Sequence, residues 1–279
     1  MDATDRRLAA ARELVTEAGR RARELRDGGL TRDEKGRHDF VTAADREIEE
    51  TIRRELHALF PEDRFLGEET GLQDSEDEAS GGTAEKRPSD GAAREAGLWI
   101  LDPVDGTANF AAGLDVWCVS LAWIRDGEAH LGIVYAPDCD ELYVARRGSG
   151  TRLNGRPLSI TDTTPVEHSL IMTGRGASLT VEQHLEILRR ILALGFEYRR
   201  FGSGALGIAR VATGRIQGYV EPAMYPWDVA AARLVVEEAG GALSPYPFDA
   251  PGQKLGPPVV ACRREFLSML TTTVTALER

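Results

Sequence analysis

The chain has 279 residues, 42% of them hydrophobic and 28% charged, and a formal net charge of −11 at pH 7. This is the composition of a soluble globular protein with ample material for a core, and the length permits one large or two ordinary domains. The acidic balance disfavours nonspecific binding to nucleic acid or an anionic membrane, and no apolar run is long enough to span a bilayer. The first residues lack a secretory apolar core with a small-residue cleavage site, so a cytoplasmic location is expected. Cys118, Cys139 and Cys262 are odd in number and far apart, which argues against a disulfide framework and against zinc. Cys118 and Cys262 fall in apolar strand patterns and read as buried, inert thiols.

From about residue 4 to 27, Leu8, Ala11, Val15, Ala18, Ala22 and Leu25 recur at spacings of three and four. That predicts an amphipathic helix, ended by Gly28-Gly29. A second helix is expected from Ala43, with Ile48, Ile52, Leu56 and Leu59 on one face, until Pro61 stops it. Thr42 and Asp45 fit a capping pair, which accounts for Asp45 without any function, although a carboxylate at a helix start can also face a cation. Arg64 to Glu69 reads as a short strand running into two acids. Neighbours in extended chain point opposite ways, so at most one of Glu68 and Glu69 faces a given site. Between Gly71 and Gly97 periodicity is lost among Asp, Glu, Ser and Gly, and a surface loop or hairpin insertion is expected.

The apolar run Leu98 to Leu101 reads as a buried strand that ends in Asp102-Pro103-Val104-Asp105-Gly106-Thr107. Pro103 fixes one φ and Gly106 permits φ > 0, so a sharp turn can aim both carboxylates at one point. Thr107 opens a short helix whose free N–H groups favour an anion. Hard oxygen ligands beside an anion cradle point to magnesium and a phosphate ester. A bare Asp-x-x-Asp-Gly is more often an ordinary turn; the longer run following a strand favours a site. The net charge would repel a phosphorylated substrate unless cations among the acids invert the local field.

Strands are expected at Val116 to Arg125, Glu128 to Ala136 and Glu141 to Arg146, forming an antiparallel meander. Gly148-Ser149-Gly150 and Asn154-Gly155 mark hairpin turns rather than a nucleotide loop. The second half alternates strand and helix. Strands are placed at His168 to Thr173, Glu197 to Phe201 and Arg215 to Glu221, then around Leu243 and Val259. Helices are placed at Val181 to Leu194, Ser203 to Ala212 and Pro226 to Ala239, with a last one from Arg264. Ser203 could simply cap its helix, and Asp228 could be a dipole-favoured acid of the first turn. A boundary near 145–150 would divide the chain into an α+β half, 1–146, and an α/β half, 147–279.

Asp39 to Asp45, Gly67-Glu68-Glu69, Trp99 to Phe110, Trp227 to Ala232 and Glu237 to Gly241, in this order, resemble the inositol monophosphatase family over nearly the whole chain. The resemblance implies a five-layer αβαβα sandwich, α+β in class, usually a homodimer, dependent on Mg²⁺ and inhibited by Li⁺. It implies that Glu68, Asp102 and the Val104 carbonyl hold one ion and that Asp102, Asp105 and Asp228 hold a second. A third, weaker ion would sit on Glu68 and reach Asp45 through water. Thr107, oriented by Asp45, would help deprotonate the attacking water. Backbone donors of Gly106 and Thr107 would grip phosphate, Glu221 would bind substrate hydroxyls, and Gly202, Ser203 and Gly204 would line the pocket. The implied activity is phosphomonoester hydrolysis of inositol monophosphate or a similar small polyol or sugar phosphate. Relatives acting on histidinol phosphate, 3′-phosphoadenosine 5′-phosphate or fructose 1,6-bisphosphate, and a regulatory binding role, stand as alternatives. The chain departs from the family in its longer insertion after Glu69 and in Lys35, one position from where many members carry a lysine.

Five acids in one cleft raise each other's pKa, and divalent cations relieve this while attracting phosphate. The sequence offers no Ser-His-Asp arrangement, and its five histidines are scattered.

Overall fold

The computed structural model describes residues 2–28, 32–36, 39–73, 96–161, 163–176, 179–248 and 255–275, with 32–36 and 39–42 as backbone only. The acidic stretch, apart from its ends, therefore lies outside the described residues, as do the Lys35 side chain and the Thr42 side chain of the expected capping pair. Asp2 opens α1 (Ala3–Asp27) through a reciprocal capping box with Asp5. β1 (Arg32–Gly36) and β2 (Asp39–Thr42) form an antiparallel hairpin leading into α2 (Ala43–Leu59). β3 (Arg64–Gly67) and β4 (Gly71–Gln73) precede β5 (Leu98–Asp105), and α3 (Thr107–Ala112) follows directly. At the first residues of the acidic stretch the structure shows the hairpin alternative, since β4 pairs antiparallel with β3.

The meander comprises β6 (Cys118–Arg125), β7 (Glu128–Ala136), β8 (Glu141–Arg146), β9 (Gly150–Leu153) and β10 (Arg156–Leu158). Asp126-Gly127 and Asn154-Gly155 all adopt positive φ, as tight hairpins require. Then come β11 (Leu170–Thr173), α4 (Val181–Ala193), β12 (Glu197–Arg199), α5 (Gly204–Val211) and β13 (Gly218–Glu221). α6 (Pro226–Glu238), β14 (Ala242–Leu243), β15 (Val259–Cys262) and α7 (Leu267–Thr275) complete the chain.

One sheet runs β10-β9-β8-β7-β6-β5-β3-β4 and the other β12-β11-β13-β15-β14. The first sheet continues through β9 and β10 to Leu158, so the division between sheets falls later than residue 146. α1 and α2 bury amphipathic stripes on its outer face, around Trp99, Leu121 and Ile133. α5 and α6 are apolar almost all round and fill the space between the two sheets, packing on Ile100, Ala122 and Val134 on one side and Tyr219 and Ala261 on the other. α4 and α7 cover the far face of the second sheet through Ile187, Ile191 and Leu270. The layers are thus αβαβα. Among the described residues no helix is long and apolar enough to cross a membrane.

Candidate metal and phosphate site

β3 and β5 run parallel with Gly67 opposite Leu101, so Glu68 emerges beside Asp102 at the carboxyl ends of both strands. In a regular strand, residues three apart point to opposite faces. Here Asp102 pairs with Ser120 and Asp105 with Cys118, three steps on β5 against two on β6. This bulge turns the two carboxylates to one side, and Pro103 fits within it because a bulge needs no ladder donor. Gly106 then takes φ +92°, and an added Cβ would meet Gly202 O, Ser203 Cβ and Val116 O at 3.1–3.2 Å. Only glycine suits that position.

Asp228 joins from the first turn of α6, where its Oδ2 accepts the Tyr225 N–H at 3.0 Å. Ser120, opposite Asp102, donates to Trp227 O at 3.2 Å and so ties the start of α6 to β6. Carboxylate oxygens of Asp102, Asp105 and Asp228 all lie within 4.8 Å of one another. Asp45, in the first turn of α2, is 1% exposed. Burial first, then the charges of Glu68, Asp105, Asp228 and Asp45, push the Asp102 carboxyl well above the usual range. Asp228 is pushed up in the same way by burial and by Asp105, Glu221 and Glu68. Thus the structure brings Asp45, Glu68, Asp102, Asp105, Asp228 and Glu221 into one electrostatic cluster. Of the adjacent acids, Glu68 belongs to it, whereas the Glu69 backbone is held by Glu49.

Asp105 is held differently. Gly204 N (2.9 Å), Ala205 N (2.9 Å) and Leu206 N (3.3 Å) donate to it, as does the Ser203 hydroxyl. The carboxylate therefore caps α5 from a remote strand. Ser203 makes no side-chain cap of its own, which corrects its reading as a simple N-cap. Burial raises the Asp105 pKa while Ser203 and the helix amides oppose the shift. Cys118 also donates to Asp105, at 3.5 Å, so this thiol is part of the site's lining and not mere filler. Burial, then the Asp105 and Asp102 charges, drive its pKa well up. The Asn109 amide bonds Val116 O (2.7 Å) and Phe201 O (2.6 Å), tying α3 to the 201–204 loop. Its place inside the Asp-Gly-Thr-Ala-Asn run was the available signal for that role.

The Thr107 hydroxyl donates to Val104 O at 3.0 Å, and Val104 N donates to Asp102 at 3.0 Å. Glu221, at the end of β13, accepts Tyr219 OH at 2.5 Å and Gly176 N at 2.6 Å. Burial raises its pKa, and those two donors work against the shift.

Among the described residues no Lys or Arg bonds to Asp102, Asp105 or Asp228. Clustered, buried, all-oxygen donors without a cationic side chain fit a hard divalent ion such as Mg²⁺. Ser203 holds one of those donors, so Ser203→Ala should weaken any Mg²⁺ binding at this cluster about 10-fold, as loss of supporting residues does at metal sites. An unchanged Mg²⁺ titration would show that the helix amides suffice.

Comparison with known proteins agrees with this geometry. The family described as the inositol monophosphatase family matches residues 4–261. An inositol-1-monophosphatase of Mesorhizobium japonicum is 36% identical over 217 residues, covering 75% of this chain and 73% of that protein. A Nus factor SuhB of Vibrio cholerae is 32% identical over 217 residues, covering 76% and 74%. The solved structure of the extragenic suppressor protein suhB from Bartonella henselae superposes with a TM-score of 0.80 at 30% identity, covering 96% of this chain and 98% of that one. With its five layers, its acid cluster at the end of β5 and a family match over almost its full length, this chain belongs to the inositol monophosphatase family, a family of phosphoric monoester hydrolases.

Proposed function

We propose that the protein is a Mg²⁺-dependent phosphomonoesterase acting on inositol monophosphate or a similar small polyol or sugar phosphate. The observation that carries this reading is the convergence of Asp102, Asp105 and Asp228 within 4.8 Å. Asp102, Asp105 and Asp228, with Glu68 and the Val104 carbonyl, would hold two to three Mg²⁺ ions. When bound, such ions supply counter-charge for the phosphate and lower the pKa of water. Gly106 and Thr107 present the unpaired first N–H groups of α3 to the phosphate oxygens. The Thr107 hydroxyl donates to Val104 O and not to Asp45, the partner that the resemblance implies. Its lone pairs can accept a hydrogen bond from the attacking water and orient it, while Asp45, a buried carboxylate of the same cluster, would take the water's proton directly. Glu221, fixed by Tyr219 and Gly176, accepts substrate hydroxyls, and Gly202, Ser203 and Gly204 close that side. Positioning and charge stabilisation then account for the rate without a protein nucleophile. Li⁺ sensitivity, a homodimeric assembly and a cytoplasmic location are proposed with it.

Phosphate release from myo-inositol 1-phosphate, histidinol phosphate and 3′-phosphoadenosine 5′-phosphate, with Mg²⁺ and with chelator, tests this. Release should require Mg²⁺ and be fastest with the inositol ester; much faster cleavage of the adenosine bisphosphate would refute the substrate assignment. Glu221→Gln should raise KM for the inositol ester ~10-fold or more, the worth of a charged hydrogen bond, and spare p-nitrophenyl phosphate, which lacks hydroxyls. The relative named as a Nus factor favours a second reading, a regulatory binding role. The retained acid set supports catalysis beside any such role.

A further inference from the structure

Glu49 lies one helical turn after Asp45, among Ile48, Ile52 and Leu56 on the core-facing side of α2, and is 0% exposed. Its Oε2 accepts Glu69 N at 3.0 Å and its Oε1 accepts Thr70 N at 2.7 Å. The same carboxylate lies against Gly67, where an added Cβ would come within 2.3–2.5 Å of its atoms. Glu49 therefore grips the chain on both sides of Glu68. Among the described residues it has no cationic partner, and an apolar side chain would fill the same space without the cost of burying charge. What an apolar residue could not do is satisfy the two amides of this turn.

We propose that Glu49 is a positioning residue for Glu68. It fixes the turn between β3 and β4 so that the Glu68 carboxylate stays beside Asp102 against their mutual repulsion. The glycine of Gly67-Glu68-Glu69 is then required by the clamp, since any side chain there would displace it. This role rests on the metal-site reading above.

The test is Mg²⁺ binding by titration calorimetry on substrate-free protein, with amide hydrogen exchange at Glu69 and Thr70. Glu49→Gln keeps the volume but turns an NH2 toward one of the amides. It should weaken the binding of Glu68-held Mg²⁺ by ~10–100-fold, the range for supporting residues of metal sites, and speed exchange at both amides. Turnover should recover toward the wild-type value at saturating Mg²⁺. Gly67→Ala, which leaves every carboxylate present but drives a methyl group into the clamp, should give the same loss, and it decides the matter if Glu49→Gln does not fold. Exposed Glu47→Gln, on the same helix, should bind Mg²⁺ as wild type does. A folded Glu49→Gln or Gly67→Ala variant with wild-type Mg²⁺ affinity would overturn the positioning role. Wild-type protein that binds no Mg²⁺ would instead overturn the metal reading itself, and the positioning role with it.

Discussion

Asp228→Asn should lower phosphate release by ~10³-fold, the scale of removing one essential charge-stabilising group, while the protein remains folded. The amide keeps an oxygen for the Tyr225 N–H, so the start of α6 is preserved and only the negative charge is lost. This makes it a cleaner probe than Asp105→Asn, whose new NH2 would face the amide donors of α5. The same substitution should also stabilise the metal-free protein at neutral pH. Burial and neighbouring acids raise the Asp228 pKa above its ordinary value of 3.8, so the folded state resists the charged form. The resulting penalty is absent below that ordinary value and grows as pH rises through the folded one. Thermal melts in chelator should therefore show the variant gaining on wild type as pH rises from 4, and Mg²⁺ should cancel the difference. A fully active variant would place the chemistry elsewhere, and one that melts lower than wild type throughout would refute the predicted relief of buried charge.

Asp63→Ala should be the most damaging change outside the site, costing about 3–5 kcal/mol, as expected when one partner of a buried ion pair is removed. Asp63 accepts Arg7 Nε at 2.7 Å and Nη2 at 3.0 Å, Gly97 N at 2.8 Å and Trp99 Nε1 at 3.0 Å. Arg7 is itself 1% exposed and stacks between Phe60 and Trp123, with centroid distances of 4.8 and 4.6 Å. Removing the carboxylate strands that guanidinium in an aromatic cage and leaves the entry to β5 without acceptors. Urea unfolding should show a lower midpoint at an unchanged slope. A loss below about 1 kcal/mol, the worth of an exposed pair, would mean that Glu62, which Arg7 Nη2 also bonds at 2.6 Å, takes over.

Much of this architecture is legible in the sequence. The periodicity of α1, α2 and α4, the Asp-Gly and Asn-Gly turns and the apolar run entering β5 mark elements within a few residues of where they lie. The hairpin of β1 and β2 is not legible, because Arg32–Gly36 is almost wholly charged and shows no alternation. β12 ends at Arg199, not Phe201, and all three of its residues are exposed, so no burial pattern marks its limits. At the site, the acids are visible but the devices that aim them are not. The bulge in β5 depends on pairing with β6, and the capping of α5 by Asp105 spans 98 residues or more. Glu49 had a readable signal: it occupies the i+4 position from Asp45, within a face otherwise composed of Ile and Leu. A carboxylate in a core stripe marks something to be held.

Four helices, α2, α3, α5 and α6, begin at the acid cluster. Each N-terminus carries the equivalent of roughly half a positive elementary charge. That fixed positive field is there whether or not any ion is, and it subtracts from the attraction that so many carboxylates would otherwise exert on a dication. A dication at this cluster would consequently be bound less tightly than the number of carboxylates alone suggests, because the backbone already supplies part of the positive charge.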